Sequence, residues 1–154
     1  MNIAKDVTEL VGHTPLVRIN HLLPADFDGE VVAKVESFNP ASSVKDRVAL
    51  AMVNAAEASG KLKPGGTIVE STSGNTGVAL AMVGAARGYK VVITMPESMS
   101  KERRALMRAF GAELVLTPAA AGMQGTVDAA QKVVAEREGA ILASQFTNPA
   151  NPQA

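Results

Sequence analysis

Blocks of apolar residues separated by polar segments predict alternating strands and helices along most of the chain. From residue 67 onward, short apolar runs at 67–70, 90–95, 113–117 and 140–143 are typical of buried strands. The segments at 78–86, 101–110 and 126–138 have helical character, and each is followed by a glycine that can end a helix. This order predicts an α/β fold, in which a parallel, twisted sheet carries helices on both faces.

The first third of the chain has a weaker pattern. Residues 15–19 and 30–35 predict strands on either side of a loop-like segment rich in Pro, Asp and Gly. A helix is predicted over 44–58, because apolar residues recur there on one face. Ser42 or Ser43 can cap its start, and Gly60 stands where a left-handed cap belongs. No interior linker divides the 154 residues, so we expect a single unit.

Composition excludes several classes of function. The chain has 15 basic and 15 acidic residues and only 3% aromatic residues, which disfavours nucleic acid and charged membranes as partners. It has no cysteine, so disulfides, thiolate metal sites and a cysteine nucleophile are excluded from this segment. The longest apolar stretch, 78–86, is too short to cross a bilayer. We expect a soluble protein of a reducing cytoplasm, without a metal site.

The segment from Ser71 to Gly77 predicts a site for a small anion. It joins a predicted strand to a predicted helix, at the edge of a parallel sheet where ligands bind. Free backbone N–H groups and the positive end of the helix dipole favour a carboxylate or phosphate there. The spacing fits neither a P-loop nor a dinucleotide-binding motif. The alternative is a helix cap with more hydroxyl groups than a cap requires.

Lys45 is a candidate for Schiff-base chemistry. It lies in the first turn of a predicted helix, where the dipole disfavours a charged ammonium and nearby Asp46 opposes that effect. A neutral amine is the form that attacks carbonyl groups. The alternative is an ordinary solvated lysine that is paired with Asp46 or with a neighbouring turn.

Several segments taken together resemble the cysteine synthases, which are also called O-acetylserine sulfhydrylases. Residues 34–47, Lys-Val-Glu-Ser-Phe-Asn-Pro-Ala-Ser-Ser-Val-Lys-Asp-Arg, resemble their lysine segment, and residues 71–77 resemble their substrate-carboxylate loop. Residues 95–100 with Glu102, Arg103 and Arg104, and residues 145–152, also match in the same order. The resemblance runs the length of this chain and covers about half of a family member.

The resemblance implies a fold-type II enzyme that depends on pyridoxal 5'-phosphate (PLP). Lys45 would bind PLP covalently and act as base and acid, and Asn75 would donate a hydrogen bond to the ring oxygen of PLP. The substrate α-carboxylate would be held by Thr72, Ser73, Asn75, Thr76 and Gln145. The implied reaction replaces the acetoxy group of O-acetyl-L-serine with sulfide to give L-cysteine and acetate. His13 and His21 have no role in it, and we expect both at turns or on the surface.

The chain also departs from the family pattern. Ser71 stands where the family usually has proline, which predicts a less rigid loop. The segments that hold the PLP phosphate and face its ring nitrogen belong to the C-terminal half of the family. Residues 1–154 therefore correspond to an N-terminal portion, with 1–40 as an arm toward the C-terminal domain, and the complete enzyme is expected to be a homodimer. This chain alone is expected to be inactive.

Two alternatives remain open at this point. One is another enzyme of the same fold, such as a cystathionine β-synthase or a serine/threonine dehydratase. The other is a fragment that folds or associates without catalysis. The segments 99–104 and 145–149 resemble those of cysteine synthases more than those of a cystathionine β-synthase or a dehydratase.

Overall fold

The computed structural model describes Met1 and residues 3–154. The elements follow in the order β1 (Leu16–Arg18), β2 (Val32–Lys34), α1 (Lys45–Ala58), β3 (Thr67–Ser71), α2 (Asn75–Arg87), β4 (Lys90–Pro96), α3 (Lys101–Ala109), β5 (Glu113–Thr117), α4 (Gly122–Glu136) and β6 (Ala140–Leu142). Strands β1 and β2 form a separate antiparallel pair. The remaining strands form a four-stranded parallel sheet in the order β5-β4-β3-β6.

Helices cover both faces of the parallel sheet, as the sequence predicted. Alternate residues of β3 point to opposite faces, so Ile68 packs in a core with α1 and α2, whereas Val69 packs against α4. Met107 of α3 joins the first core and is fully buried. Burial on both faces explains why the central strands are continuous apolar runs.

The ends of the helices follow the glycine pattern of the sequence. Gly60, Gly88, Gly111 and Gly139 all have positive φ angles between 71° and 83°. Gly88 is a left-handed cap of α2, and its N–H donates to the Gly84 carbonyl. Each of these glycines turns the chain back toward the sheet.

Two helix starts differ from the sequence prediction. Helix α2 begins at Asn75 rather than 78, and α4 begins at Gly122 rather than 126. Asn75, Thr76 and Gly77 at the start of α2, and Gly122 and Gly125 at the start of α4, have weak helix propensity, so these first turns were not predicted. The consequence for α2 is functional, because Asn75 and Thr76 belong to its first turn.

Candidate active site

Lys45 is the first residue of α1, and the turn before the helix fixes its position. The Ser43 hydroxyl accepts the Lys45 backbone N–H at 3.1 Å. Ser42 has a left-handed φ of 62°, which reverses the chain just before the helix. Within the part of the chain that the structure describes, the Lys45 amine makes no hydrogen bond or ion pair. The half-buried side chain is therefore available for chemistry.

Asp46 supports this turn and does not pair with Lys45. Its carboxylate accepts the Ala41 backbone N–H, and the residue is fully buried. Burial raises the pKa of Asp46, while hydrogen bonds from Ala41 and Ser43 oppose the rise. Its Oδ1 atom is buried and has no hydrogen-bond partner among Met1 and residues 3–154. The alternative of a solvated Lys45–Asp46 pair is not what the structure shows.

The segment from Ser71 to Gly77 forms a tight connection from β3 to α2. The Thr72 N–H donates to the Thr94 carbonyl at 3.1 Å, which continues the β3–β4 pairing by one residue. The Gly74 N–H donates to the Thr72 hydroxyl at 3.3 Å. A Cβ on Gly77 would lie 2.8 Å from the terminal methyl of Met107 and 3.0 Å from the methyl of Thr72, so an alanine there would require these side chains to shift. The glycine thus allows α2 to pack closely against Met107 of α3.

The beginning of α2 offers hydrogen-bond donors to a ligand. Gly74 caps the helix without a side-chain hydrogen bond, and the first N–H groups of a helix lack intrahelical partners. The Asn75 side chain is exposed beside them. Ser73 is half-buried, and its carbonyl accepts a hydrogen bond from Arg103 at 3.3 Å. Helix dipole, free N–H groups and an exposed amide together make this end attractive to an anion.

Lys45 and this loop lie at the same end of the sheet. Arg87, the last residue of α2, donates hydrogen bonds to Asn54 and Glu57, both near the end of α1, at 2.7 and 2.8 Å. The two helices therefore run in the same direction, and their first turns lie together at the carboxyl edge of β3. This edge is where ligands bind in parallel α/β sheets.

Gln145 reaches the loop from the segment that follows β6. The Thr76 hydroxyl donates to Gln145 Oε1 at 2.6 Å, and both residues are buried. The hydroxyl proton of Thr76 is used in this bond, so Thr76 orients the Gln145 amide. The Gln145 Nε2 group makes no hydrogen bond among the described residues and remains free to donate. Sequence analysis placed both residues at the substrate carboxylate, and the structure brings them together.

Sequence analysis missed one buried acid at this edge. Glu70 is only 3% exposed, and its Oε2 accepts the Gln145 backbone N–H at 3.2 Å. Burial raises the pKa of Glu70 to about 7, and backbone hydrogen bonds from Gln145, Ser71 and Ser144 oppose the rise. The signal in the sequence was a single acid in an otherwise apolar central strand.

The described residues contain neither a cluster suited to a metal ion nor a helix suited to a membrane. Among Met1 and residues 3–154, no group of three or more His, Cys, Asp or Glu side chains could hold a metal ion. No helix in the same residues has the length and apolar character needed to cross a bilayer.

Comparison with known proteins connects this geometry to a family. The family model described as "Pyridoxal-phosphate dependent enzyme" matches residues 7–154. A cysteine synthase from Staphylococcus aureus (strain Mu50 / ATCC 700699) is 53% identical over 148 residues, which are 96% of this chain and 47% of that protein. The chain thus spans about half the length of the curated relatives it matches.

Solved structures show the same partial coverage. The crystal structure of an O-ureido-L-serine synthase is 51% identical with a TM-score of 0.92, over 99% of this chain and 47% of that one. A cysteine synthase from Entamoeba histolytica is 46% identical with a TM-score of 0.91, over 97% of this chain and 46% of that one. The parallel sheet and its helices are therefore those of the N-terminal part of these proteins.

Proposed function

Because this chain belongs to the pyridoxal-phosphate dependent enzyme family, we propose that it supplies the N-terminal half of a cysteine synthase. The proposed reaction replaces the acetoxy group of O-acetyl-L-serine with sulfide and yields L-cysteine and acetate. One observation carries the proposal: the Lys45 amine, which has no partner among the described residues, lies at the same end of the sheet as donors suited to a carboxylate. The likeness to the cysteine synthases of S. aureus and E. histolytica supports this choice of reaction.

The residues at this end fit PLP. Lys45 Nζ has no partner among the described residues, so it can bond to the aldehyde carbon of the cofactor. The exposed Asn75 amide can donate to the ring oxygen next to that carbon. When bound, PLP supplies an electron sink that stabilises negative charge at the substrate α-carbon. The other half of the catalytic unit would make the remaining contacts with PLP.

Lys45 is proposed to move the proton of the reaction. Its Nζ would take the proton from the substrate α-carbon and later return it to the same atom. The amine is suited to this because the adjacent Asp46 carboxylate is directed to Ala41 and does not hold it as an ion pair.

The loop and Gln145 are proposed to hold the substrate carboxylate. The donors are the first N–H groups of α2, that of Thr76 included, and the side chains of Thr72, Ser73, Asn75 and Gln145. The Thr76 hydroxyl contributes by orienting the Gln145 amide. Hydrogen bonds to a charged group contribute about 1.5–3 kcal/mol each, which is enough to orient the amino acid. Holding the carboxylate fixes the α-carbon relative to Lys45.

The first 40 residues are proposed to act as an arm that contacts the remaining half of the unit. Leu16, Val17 and Val32 of the β1–β2 pair are 63%, 50% and 46% exposed. Apolar strands with this exposure are usually covered by a partner. We further propose a homodimeric complete enzyme in the cytoplasm, where the absence of cysteine is compatible with a reducing environment.

A second candidate function is the formation of O-ureido-L-serine. The observation that favours it is the likeness to O-ureido-L-serine synthase, which is nearly as high as the likeness to the S. aureus cysteine synthase. Both reactions place a nucleophile on the β-carbon of a serine derivative, and the residues described here bind the part of the substrate that the two share.

One assay tests these functions together. The complete enzyme, meaning this chain together with the other half of the catalytic unit, is mixed with PLP, O-acetyl-L-serine and either sulfide or hydroxyurea. Mass spectrometry should show L-cysteine as the main product with sulfide, and Lys45→Ala should lose it. Faster formation of O-ureido-L-serine would favour the second candidate. A 2-oxo acid as the main product would indicate a dehydratase, and the absence of any product would contradict the proposal.

A further inference from the structure

Glu70 and Gln145 connect two strand ends that lie far apart in the sequence. Glu70 is the penultimate residue of β3, and Gln145 lies 75 positions later, after β6. Strands β3 and β6 pair in parallel through Val69 and Leu142. The pairing brings the Glu70 carboxylate to the backbone of the turn that carries Gln145.

The turn that carries Gln145 is held on both sides. Ser144 has a positive φ of 56°, a conformation that a non-glycine residue adopts at a cost. Glu70 Oε2 accepts the Gln145 N–H at 3.2 Å, and Asn151 donates to the Gln145 carbonyl at 2.7 Å. These two hydrogen bonds fix the backbone of the turn, so the Cα atom that carries the Gln145 side chain has a defined position.

A defined backbone directs the Gln145 amide. Its Oε1 accepts the Thr76 hydroxyl, and this leaves Nε2 as the donor for a ligand. On this basis, and resting on the proposed function, we infer that Glu70 is a positioning residue. Its carboxylate holds the Ser144–Gln145 turn so that the Gln145 amide faces the substrate carboxylate.

A purely structural role would favour an uncharged residue at this position. An isolated buried carboxyl destabilises the fold unless hydrogen bonds compensate, and burial raises the pKa of Glu70. Glu70 lies on the face of β3 that packs against α1 and α2, and its neighbours on β4 and β6 are neutral. A charged acceptor on this strand is therefore explained better by the turn that it holds.

Other ionisable groups lie at the ends of the elements that pack around Glu70. At this edge of the sheet they are Lys45, Asp46 and Arg47 on α1, Lys101, Glu102, Arg103 and Arg104 on α3, and Glu97 after β4. Helix α2 has no ionisable side chain before its last residue, and residues 139–154 have none. Burial raises the pKa of Glu70 and the backbone hydrogen bonds oppose the rise, and none of these charged groups is among its causes.

The test is a double-mutant cycle in the complete enzyme loaded with PLP. Glu70→Gln keeps the size of the side chain but offers one acceptor oxygen instead of two. The dissociation constant of L-cysteine is measured from the cofactor absorbance for the parent enzyme, Glu70→Gln, Gln145→Ala and the double variant. Glu113→Gln is the matched control, because Glu113 pairs with Arg137 at the opposite edge of the sheet.

We expect Glu70→Gln to weaken L-cysteine binding by about tenfold, as for the loss of one charge-assisted hydrogen bond. The same change should have less than a twofold effect when Gln145 is already alanine, because the two act through one contact. The affinity of the parent enzyme should fall below about pH 7, and Glu70→Gln should lose that dependence. Glu113→Gln should bind L-cysteine like the parent.

The outcomes separate this inference from the proposed function. The positioning role would be overturned if Glu70→Gln weakened L-cysteine binding tenfold both in the parent enzyme and in Gln145→Ala. It would also be overturned if Glu70→Gln alone left the affinity for L-cysteine unchanged. Unchanged affinity in Gln145→Ala would instead contradict the proposed function, since Gln145 would then not bind the carboxylate.

Discussion

The Ser71 hydroxyl lies 2.6 Å from the Thr126 hydroxyl and joins the end of β3 to the first turns of α4. Thr126 donates its own proton to the Met123 carbonyl at 2.7 Å, so Ser71 is the donor in the bond between the two hydroxyls. Both residues are buried. This bond restrains the start of the segment from Ser71 to Gly77.

Ser71→Ala should destabilise the complete enzyme by about 1 kcal/mol, the usual contribution of one hydrogen bond. The reason is that buried Thr126 loses a partner while the backbone of β3 is unchanged. The measurement is the free energy of unfolding in urea. Ser59→Ala is the control, because the Ser59 hydroxyl donates to the Ala56 carbonyl at the surface. Equal stability of the two variants would contradict this account of Ser71.

Thr72→Ala and Asn75→Ala should weaken binding of the amino acid more than binding of PLP. Each change removes a group that is proposed to hold the carboxylate, and the loss corresponds to about 1.5–3 kcal/mol if the bond is charge-assisted. Calorimetry with L-cysteine and separate titration with PLP measure the two affinities. If amino-acid affinity stays unchanged in both variants, the loop is only a helix cap.

Glu70 should make the stability of the enzyme fall as the pH rises. Its pKa in the fold is about 7, above the ordinary value of 4.5, so the folded state binds more protons between these two pH values. The stability conferred by the protonated form is present below pH 4.5 and is lost progressively as the pH rises to about 7. Glu70→Gln should remove this loss, which amounts to about 3 kcal/mol at most.

Thermal midpoints at pH 5.5 and pH 8 provide the measurement. Relative to the parent enzyme, Glu70→Gln should be more stable at pH 8 than at pH 5.5, although it binds the amino acid less well. Comparison with Glu113→Gln removes effects common to any lost carboxylate, because Arg137 lowers the pKa of Glu113. A difference between parent and Glu70→Gln that does not change with pH would refute the raised pKa.

Residues 1–154 alone should show no appreciable cysteine synthase activity, even with excess PLP. Lys45 and the segment from Ser71 to Gly77 are present, but the proposed unit needs its second half to enclose the site and exclude water. The exposed apolar residues of β1 and β2 should cause self-association. Assays with O-acetyl-L-serine and sulfide, combined with light scattering, test both points. Turnover like that of a complete enzyme from a monomeric sample would contradict this prediction.

Much of the fold could be predicted from the sequence because its signals are local. The strand at 113–117 coincides with β5, and the helix over 44–58 differs from α1 by one residue. Each apolar run or glycine cap belongs to a single helix or strand, so it can be recognised without knowing how the elements pack. The predicted start of α2, residue 78, was wrong because Asn75 and Gly77 are weak helix formers that tertiary packing holds in a helix.

The site could be predicted only in part, for a different reason. Lys45 and residues 71–77 belong to contiguous motifs, which local sequence indicated and the resemblance to a family supported. The bond between Glu70 and Gln145 spans 75 residues and depends on β3 pairing with β6. Nothing local in the sequence shows which strands are neighbours, so the role of Glu70 emerged only from the fold.

The central claim is that Lys45 holds the cofactor, and one measurement tests it most directly. The complete enzyme loaded with PLP is reduced with borohydride, which makes the bond between cofactor and lysine permanent, and its peptides are mapped by mass spectrometry. The account predicts that the label lies on Lys45 and is absent from Lys45→Ala, whereas Lys101→Ala keeps it. A label on any lysine other than Lys45 in the parent enzyme would contradict the account.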